Sequence, residues 1–402
     1  MQRRLFSAID VRGVRLKNRI VLSPMLTYAA QNGRVTDWHL AHLAKFAVGG
    51  TGLVFMEATK VDPRGCTTLR DAGLWKDEFI EPLKRITALV KSFGAAAGIQ
   101  LGHSGRKARN CVPWEGRSPL PSHTGGVDHG EEWDLIGPSA IAHSPDASVP
   151  RPMTLRDIRE QIDAWGAAAA RAHQAGFDVL EIHGAHGYLL HQFLSPSANR
   201  RTDAYGGSLA NRMRFALEVV ERVRQVWPDD KPLFFRVSAV DGNGWSIDDS
   251  VVLARVLKTK GVDVIDCSSG GITPQPNSSI EHATRPGYGY QIPYAEQIRA
   301  EADIRTMAVG LIIHGDQAEH ILQAGQADLV ALGRELLYNP NWPLDAAEKL
   351  GLDRPYDIVP PNHGFWLAKR ANGGFGGKSS TWQRGIADPR SGEEIALRSP
   401  MP

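Results

Sequence analysis

The chain has 402 residues, 42% of them hydrophobic and 22% charged, which is enough for one large hydrophobic core or two ordinary ones. The formal net charge is only +2, and no run of Lys and Arg indicates a nucleic-acid partner. Three scattered cysteines exclude a disulfide framework, and no apolar segment approaches the roughly 18 residues of a membrane span. The N-terminus lacks the apolar stretch of a signal peptide, so we expect a soluble, cytoplasmic protein without membrane or nucleic-acid partners.

Short apolar runs alternate with helical patterns along the chain. Each run is almost continuously apolar, as a parallel strand covered on both faces must be. The clearest helical pattern spans 154–176, with Thr154 as a cap and Asp157 as a first-turn acid. Eight such repeats predict an α/β fold, a (β/α)8 TIM barrel, in preference to a doubly wound open sheet. The predicted strands are 19–25, 52–58, 96–102, 177–183, 232–239, 262–269, 305–311 and 327–334.

Two segments do not fit the regular repeat. Residues 103–153, after the third strand, are too long for a plain connection, and Trp114 and Trp133 favour an ordered flap over a disordered excursion. The C-terminal end is rich in Gly and Ser and has no core to join. We therefore expect one barrel over 1–358, with 103–153 as an insertion, and a partly flexible extension over 359–402.

Polar residues appear where the predicted strands end. In a barrel these ends converge on the face that holds the active site. One polar strand end is usually the start of a loop, but a set that differs in chemistry describes a lined pocket. The set comprises Ser23, Glu57, Gln100, His183, Arg236, Ser238, Ser268, Ser269, Gly310, Gly333 and Arg334.

The last two strands end in glycines that suit a phosphate site. At Gly310 and Gly333 the backbone N–H groups could approach a phosphate, and Arg334 adds a guanidinium at the start of a helix. Ordinary strand-to-helix turns and a solvated Arg334 explain the same residues equally well, so both interpretations stay open.

Arg236 is predicted to point into the barrel, where it must meet an anion because it cannot lose its charge. An internal ion pair with Glu57 or Glu181 would satisfy it. Alternatively, Arg236 faces an electron-accepting ring that becomes anionic when reduced. Gln100, which both donates and accepts hydrogen bonds, would then contact the amide edge of that ring.

The stretch "EIHGAHGYLLH" places His183, His186 and Tyr188 at the end of the fourth strand. A metal site with His191 as third ligand is one interpretation and a structural role another. The motif has no acidic residue at a ligand spacing and matches no metal signature, so we expect no bound metal. Two histidines followed closely by a tyrosine favour a site that binds a carbonyl oxygen and delivers a proton.

With these motifs the chain resembles the old yellow enzymes, the FMN-dependent NAD(P)H ene-reductases, and most of all their YqjM-like and xenobiotic-reductase-like branch. The resemblance runs from Leu5 to Gly351. It includes "GIQLGHSGRKA", "AGFDVLEIHGAHGYLLHQFLSP", "NRRTDAYGGSLANRMRF", "VDVIDCSSGG" and "ADLVALGRELL". It implies a (β/α)8 barrel with FMN at the C-terminal face and NADPH or NADH as the reductant.

The resemblance also implies residue roles. His183 and His186 would hold the carbonyl oxygen of the substrate, and Tyr188 would donate the proton. Tyr28 would line the substrate pocket, with a core role as the open alternative, and Lys107 would lie near the pocket mouth. The flavin ring would contact Ser23, Pro24, Met25, Leu26, Ala58, Gln100 and Arg236, and the phosphate Gly310, Gly333 and Arg334.

The implied reaction is reduction of the C=C bond of activated alkenes, namely α,β-unsaturated carbonyl compounds and also nitro-compounds. An FMN-dependent amine demethylase or dehydrogenase on the same barrel is the alternative. A tRNA-modifying flavoprotein would need a basic face and a cysteine near the ring, and neither is visible. The implied partners are a small-molecule substrate and further copies of the chain, in a dimer or a tetramer.

Two features depart from the family pattern. Leu26 stands where this branch usually has a cysteine, which leaves the flavin potential open. The family's C-terminus often reaches a neighbouring subunit's site. Residues 360–370, "PPNHGFWLAKR", could do the same, but the Gly-rich run that follows them is unfamiliar.

Overall fold

The structure, a computed structural model, describes residues 3–121, 124–127, 133–273 and 287–375. Its centre is a closed barrel of eight parallel strands in chain order, in which β8 returns to pair with β1 through Val330 and Ile20. This confirms the predicted (β/α)8 fold. The strands are β1 (Ile20–Leu22), β2 (Leu53–Lys60), β3 (Ala96–Gly102), β4 (Val179–Gly184), β5 (Leu233–Ser238), β6 (Val264–Ser268), β7 (Arg305–Val309) and β8 (Leu329–Leu332).

The helices lie outside the barrel, between successive strands and after the last strand. At the start of α3 the Thr154 hydroxyl accepts from the Asp157 N–H, and the Asp157 carboxylate accepts from the Thr154 N–H, so the predicted cap is confirmed. The helices are α1 (Asp37–Val48), α2 (Ile80–Ser92), α3 (Leu155–Gln174), α4 (Leu189–Leu194), α5 (Leu209–Arg224), α6 (Ile247–Thr259), α7 (Ile292–Ala302), α8 (Gly315–Gln323), α9 (Arg334–Tyr338), α10 (Trp342–Lys349) and α11 (Pro361–Arg370).

Several strands end earlier than predicted, which leaves more residues in the loops of the C-terminal face. β1 stops before Ser23 and Pro24, because proline has no N–H to donate to the ladder. β7 stops at Val309, since Gly310 turns away with a φ of +115°. The last residues of the predicted strands 19–25 and 305–311 therefore belong to the loops that form the site.

Two apolar cores hold the barrel together. The larger one fills the space between strands and helices and includes Trp165 and Phe215. The smaller one lies inside the barrel at the N-terminal ends of the strands, where an N-terminal hairpin contributes Ile9, Val11 and Leu16. The hairpin thus closes the bottom of the barrel, and the opposite, C-terminal face carries the polar strand ends.

The insertion after β3 is partly described. It contains a short parallel pair, Ile136–Gly137 with Arg151–Pro152. Trp133 is buried and its indole N–H donates to the Arg64 carbonyl at 3.1 Å, whereas Trp114 is exposed. Residues 122–123 and 128–132, and the tail beyond residue 375, lie outside the described residues. In the described part of the chain, no helix has the length and apolar character needed to cross a membrane.

Candidate active site

Neighbouring strands bring the polar residues of the C-terminal face together. The barrel register sets His183 of β4 opposite Arg236 of β5, and Arg236 opposite Asp266 of β6. On the other side, Gln100 of β3 lies opposite Glu181 of β4. All five side chains are buried. Residues far apart in the chain therefore share one end of the barrel.

Arg236 pairs with a carboxylate that was not expected from the sequence. Its Nε lies 3.1 Å from Asp266 Oδ2, so neither Glu57 nor Glu181 is the ion-pair partner. Burial, reinforced by the charge of Asp266, raises the pKa of Glu181 well above its usual value, and Glu181 Oε1 accepts from the Gln100 amide at 2.7 Å. Asp266 is thus the ion-pair partner of Arg236, and burial disfavours the charged form of Glu181 beside them.

Glu57 is held away from the pocket by an irregularity in β2. Met56 pairs with Ile99 and Ala58 with Gln100, so Glu57 is the extra residue of a bulge. Its carboxylate accepts from the Thr27 N–H and hydroxyl, at 2.9 and 2.5 Å, and contacts His39 Nε2 at 3.0 Å. Glu57 therefore fixes the loop after β1 instead of lining the site.

The predicted flavin contacts surround one region of the C-terminal face. Arg236 Nη1 donates to Ser23 Oγ at 3.1 Å, which ties β5 to the segment Ser23–Leu26 after β1. Ala58 and Gln100 lie opposite each other on β2 and β3. These residues supply a fixed guanidinium, an amide and small or apolar neighbours. Such a set suits a ring that carries carbonyl and amide groups and gains negative charge on reduction. These residues fit FMN.

The predicted phosphate contacts follow the adjacent strands β7 and β8. Gly310 has a positive φ, at which a side chain would be strained, and a Cβ there would lie 2.7 Å from Gln291 Nε2 and displace that amide. Gly333 separates β8 from α9, and Arg334 is exposed at the start of that helix. The structure therefore brings the three residues to the same end of the barrel.

The histidine motif forms a tight turn between β4 and α4. His186 and Gly187 have φ values of +57° and +71°. A Cβ on Gly187 would lie 2.1 Å from the Gly271 carbonyl oxygen, so the turn is packed directly against the loop after β6. The His186 N–H donates to Ser238 Oγ at 2.9 Å. The glycine between the histidine and the tyrosine is thus required for the site to close.

Both histidine rings of the motif are neutral. Burial, followed by the neighbouring cationic and imidazole groups, lowers the pKa of His183 and His186 well below the usual value. The Ala185 N–H donates to His183 Nδ1, so the ring proton of His183 is on Nε2, 3.4 Å from His186 Nδ1. His186 Nε2 lies 2.7 Å from Ser268 Oγ. When Ser268 donates this bond, His186 carries its proton on Nδ1, and the two facing N–H groups require an acceptor such as a substrate oxygen.

His191 takes no part in this pair. It is fully buried, its Nδ1 accepts from the Gly187 N–H at 2.8 Å, and its Nε2 lies 3.7 Å from Asp241. No group of three or more His, Cys, Asp and Glu side chains that could hold a metal ion occurs within the described ranges. His191 instead supports the turn that carries His186.

A cavity of about 510 Å³ opens beside the motif. Its walls include Tyr188, Tyr28 and Lys107, so the structure brings these predicted residues together. The Tyr28 ring meets Trp114 edge-on at 5.7 Å, and burial raises the Tyr28 pKa. Lys107 Nζ donates to the carbonyls of His186 and Gly271 at 2.9 and 3.0 Å, and burial lowers its pKa to about 8.

One polar group beside this cavity, formed by Lys60, Asp71 and Ser104, was not predicted from the sequence. Lys60 Nζ lies 3.1 Å from Ser104 Oγ and 3.5 Å from Asp71 Oδ2, and all three residues are fully buried. A signal was present in "GLVFMEATK", where a lysine follows an apolar strand, because lysine is rarely fully buried without a partner.

The chain is similar to known flavin enzymes. The model of the NADH:flavin oxidoreductase / NADH oxidase family matches residues 4–353. An NADPH dehydrogenase of Geobacillus sp. (strain WCH70) is 47% identical over 355 residues, which cover 87% of this chain and 96% of that protein. An NADPH dehydrogenase of Bacillus subtilis (strain 168) is 44% identical over 362 residues, covering 89% and 98%.

Solved structures show the same likeness. Morphinone reductase superposes with a TM-score of 0.70 and 25% identity, over 90% of this chain and 92% of that chain. A 2-naphthoyl-CoA reductase in complex with 2-naphthoyl-CoA superposes with a TM-score of 0.76 and 26% identity. This chain spans about half of that protein's length (54%). The coverage of this chain is 89% in that comparison. A histamine dehydrogenase from Rhizobium sp. 4-9 superposes with a TM-score of 0.70 and 26% identity, over 88% of this chain and 48% of that chain.

The family match extends over nearly the whole barrel, and the two NADPH dehydrogenases align along almost their full length. The resemblance to the old yellow enzymes and the expected dependence on FMN and NAD(P)H are therefore confirmed. The chain belongs to the NADH:flavin oxidoreductase / NADH oxidase family.

Proposed function

We propose that this oxidoreductase reduces the C=C bond of activated alkenes, α,β-unsaturated carbonyl compounds and nitro-compounds among them. The observation that carries the proposal is a cluster of two neutral imidazoles and one phenol, those of His183, His186 and Tyr188, in which the phenol also lines a cavity. The ring of Tyr188 lies 4.8 Å from that of His183, centroid to centroid. Such a set can bind an oxygen and deliver a proton to a neighbouring carbon.

Bound FMN would take a hydride from NAD(P)H and give it to the β-carbon of the alkene. We propose that Ser23, Pro24, Met25, Leu26, Ala58, Gln100 and Arg236 hold its ring and Gly310, Gly333 and Arg334 its phosphate. The Arg236 guanidinium, fixed by Asp266 and Ser23, supplies a positive charge that needs no reorganisation during the reaction.

The two histidines act on the oxygen of the substrate. A carbonyl oxygen placed between them accepts from His183 Nε2–H and from His186 Nδ1–H. Hydride transfer makes this oxygen an enolate, and the two hydrogen bonds strengthen as the negative charge develops. Because both rings are neutral, they stabilise this charge without giving up a proton. Tyr28 would line the cavity that holds the rest of the molecule.

Tyr188 completes the addition of hydrogen. Its hydroxyl proton passes to the α-carbon, so an O–H bond breaks and a C–H bond forms. The electron pair left on the phenol oxygen takes a proton from solvent afterwards. Hydride and proton together saturate the C=C bond.

The test separates the two half-reactions under anaerobic conditions. Protein reduced with NADPH or NADH is mixed with cyclohexenone, maleimide or a nitroalkene, and reoxidation is followed by flavin absorbance. Fast reoxidation by the alkenes, slowed about 10²- to 10⁴-fold in Tyr188→Phe with reduction by nicotinamide unchanged, supports the proposal. Equal loss in both half-reactions would show that Tyr188 is structural.

Amine oxidation is the second candidate, because the fold is similar to a histamine dehydrogenase. In the same apparatus, oxidised protein is mixed with histamine, trimethylamine or N-methylated aromatic amines. Bleaching of the flavin by an amine, with no reoxidation of reduced protein by any alkene, would replace the first proposal by this one.

We also propose that the protein is a cytoplasmic homo-oligomer, a dimer or a tetramer. Helix α11 exposes two adjacent aromatic side chains, Phe365 and Trp366, at 64% and 63% of their accessible surface. Exposed aromatic pairs of this kind are typical of subunit interfaces. Light scattering of the native protein and of Phe365→Ser/Trp366→Ser tests this, since a monomer in both samples contradicts it.

A further inference from the structure

The buried lysine beside the cavity lies directly against the proposed proton donor. Lys60 is the last residue of β2 and is 0% exposed. Its Nζ lies 5.0 Å from the centroid of the Tyr188 ring, within the range of a cation–π contact. Lys60 is absent from the cavity walls, so the ammonium approaches the ring from the protein side and not from the substrate side.

The ammonium is held in place by acceptors on three sides. Besides the ring, Nζ contacts Ser104 Oγ at 3.1 Å and Asp71 Oδ2 at 3.5 Å. The hydroxyl and the carboxylate thus hold the ammonium from two sides, and the Tyr188 ring lies on a third. Ser104 Oγ is bonded in turn to Thr67 Oγ1 at 2.7 Å, and Thr67 lines the cavity.

The carboxylate partner is even more tightly fixed. Asp71 accepts from the Thr67 N–H at 2.6 Å, the Thr68 N–H at 3.1 Å and the Thr68 hydroxyl at 2.7 Å. Its closest contacts are these neutral donors, and Lys60 is the more distant one. The pair is therefore a fixed dipole whose positive end lies against Tyr188.

Packing alone does not account for such a pair. Desolvating two charges costs free energy that an ion pair seldom recovers, and apolar side chains of the same volume usually stabilise a core as well or better. Here the Lys60 ammonium is buried against the face of the Tyr188 ring, whose hydroxyl oxygen must become negative during the proposed step. A fixed cation at that position lowers the energy of the charge-separated transition state.

We propose that Lys60 is a positioning residue for proton transfer from Tyr188. It holds the ring through its face and stabilises the negative charge that develops on the phenol oxygen as the O–H bond breaks and the α-carbon gains the proton. This inference rests on the proposed function, in which Tyr188 is the donor.

Other groups near the ring do not replace Lys60. Lys107 Nζ is 5.5 Å from the same centroid, but it lines the cavity and donates to two backbone carbonyls, so a substitution there would change the cavity wall and the turn. His183 is neutral, and Tyr28 carries no charge because burial raises its pKa. Lys60 is thus the cation near Tyr188 that can be changed without altering the cavity wall.

The experiment compares Lys60→Met in two backgrounds, the native chain and Tyr188→Phe. In the native background we expect reoxidation of the reduced protein by cyclohexenone to slow about 10- to 100-fold. Reduction by nicotinamide and the Kd of cyclohexenone should stay unchanged. In the Tyr188→Phe background the same substitution should have no further effect, because the charge that Lys60 stabilises no longer forms.

Two more variants complete the design. Lys60→Met/Asp71→Asn removes both charges, so no unpaired carboxylate is buried, and the comparison can be made on it if Lys60→Met does not fold. Lys84→Met is the matched control, since Lys84 is exposed on α2 and pairs only with Glu81 among its described ion-pair contacts. The control should leave both half-reactions unchanged.

The outcomes separate the two proposals. If Tyr188→Phe slows the alkene reaction but Lys60→Met slows it equally in both backgrounds, or in neither, Lys60 is a packing residue and the inference fails while the proposed function stands. If Tyr188→Phe itself leaves the alkene reaction unchanged, the proposed donor is wrong and the inference falls with it.

Discussion

At the residue scale, the chemistry of the site depends on histidines that carry no charge. A buried imidazolium would donate strongly to any anion, so it would bind an anionic ligand as tightly as the enolate that forms in the reaction. His183 and His186 are kept neutral by burial beside Arg236, so their hydrogen bonds gain most where negative charge is created. The Ala185 N–H makes Nε2 the donor nitrogen of His183, and a bond donated by Ser268 makes Nδ1 the donor nitrogen of His186.

Binding of phenols tests this pair without any reaction. A phenolate oxygen can take the position of the enolate oxygen, so His183→Ala or His186→Ala should weaken binding of a para-substituted phenol about 10- to 100-fold. Titration followed by the change in flavin absorbance measures the Kd. His320→Ala, on the distant helix α8, is the control. Unchanged phenol affinity in both site variants would contradict the assignment.

Leu26 is a second position where one side chain has a predictable effect. It is half-buried in the segment after β1 and offers no hydrogen bond. A drier environment disfavours extra negative charge on a bound ring, so Leu26→Cys should raise the midpoint potential of bound FMN. Spectroelectrochemical titration measures the potential. A lowered melting temperature with an unchanged potential would show that Leu26 only fills space, at a cost of about 1–3 kcal/mol for the cavity.

At the element scale, the turn between β4 and α4 joins the barrel to the site. Gly187 combines a positive φ with a position in which a Cβ would meet the Gly271 carbonyl. Gly94, at the end of α2, has the same φ of +71° and open space around it. A substitution at Gly94 therefore measures backbone strain alone, whereas one at Gly187 measures strain together with the clash between the loops after β4 and β6.

We expect Gly94→Ala to cost only the strain of a left-handed alanine, about 1 kcal/mol. Gly187→Ala should cost several times more and should also weaken phenol binding, because the loops after β4 and β6 must separate. Urea unfolding gives the free energies, and phenol titration reports on the site. Equal costs for the two substitutions would show that the loops yield freely.

At the scale of the whole molecule, buried histidines make stability depend on pH. The pKa of each is lowered first of all by burial, to about 4 for His42, His103 and His191, against 6.5 in the unfolded chain. The unfolded state therefore binds more protons below pH 6.5. The histidines with lowered pKa that are buried or half-buried are His42, His103, His143, His183, His186 and His191.

The stability contributed by these six groups is complete above pH 6.5 and is lost as the pH falls towards 4. Three buried carboxyls with raised pKa, those of Asp71, Glu181 and Asp266, act in the opposite sense but are fewer. We expect the melting temperature to be nearly constant from pH 8 to 6.5 and to fall steeply below that. A melting temperature that rises between pH 6.5 and 5 would contradict the prediction.

The sequence by itself determined the barrel, the face at which its polar strand ends lie, and most of the residues of the proposed site. Apolar runs and helical periods are local properties, so they specify eight strands and the helical connections between them without knowledge of contacts. His183, His186, Tyr188, Gln100 and Arg236 could be placed on one face because parallel strand ends converge in any closed barrel.

Only the tertiary structure decided which of these groups touch. Arg236 pairs with Asp266 because the register sets them opposite each other, whereas Glu57 is turned outward by a bulge that no composition reveals. Lys60 meets Tyr188 from a strand 128 positions earlier in the chain (188 − 60). Register, bulges and loop packing depend on how all eight repeats fit together, and the residues of any one repeat do not contain that information.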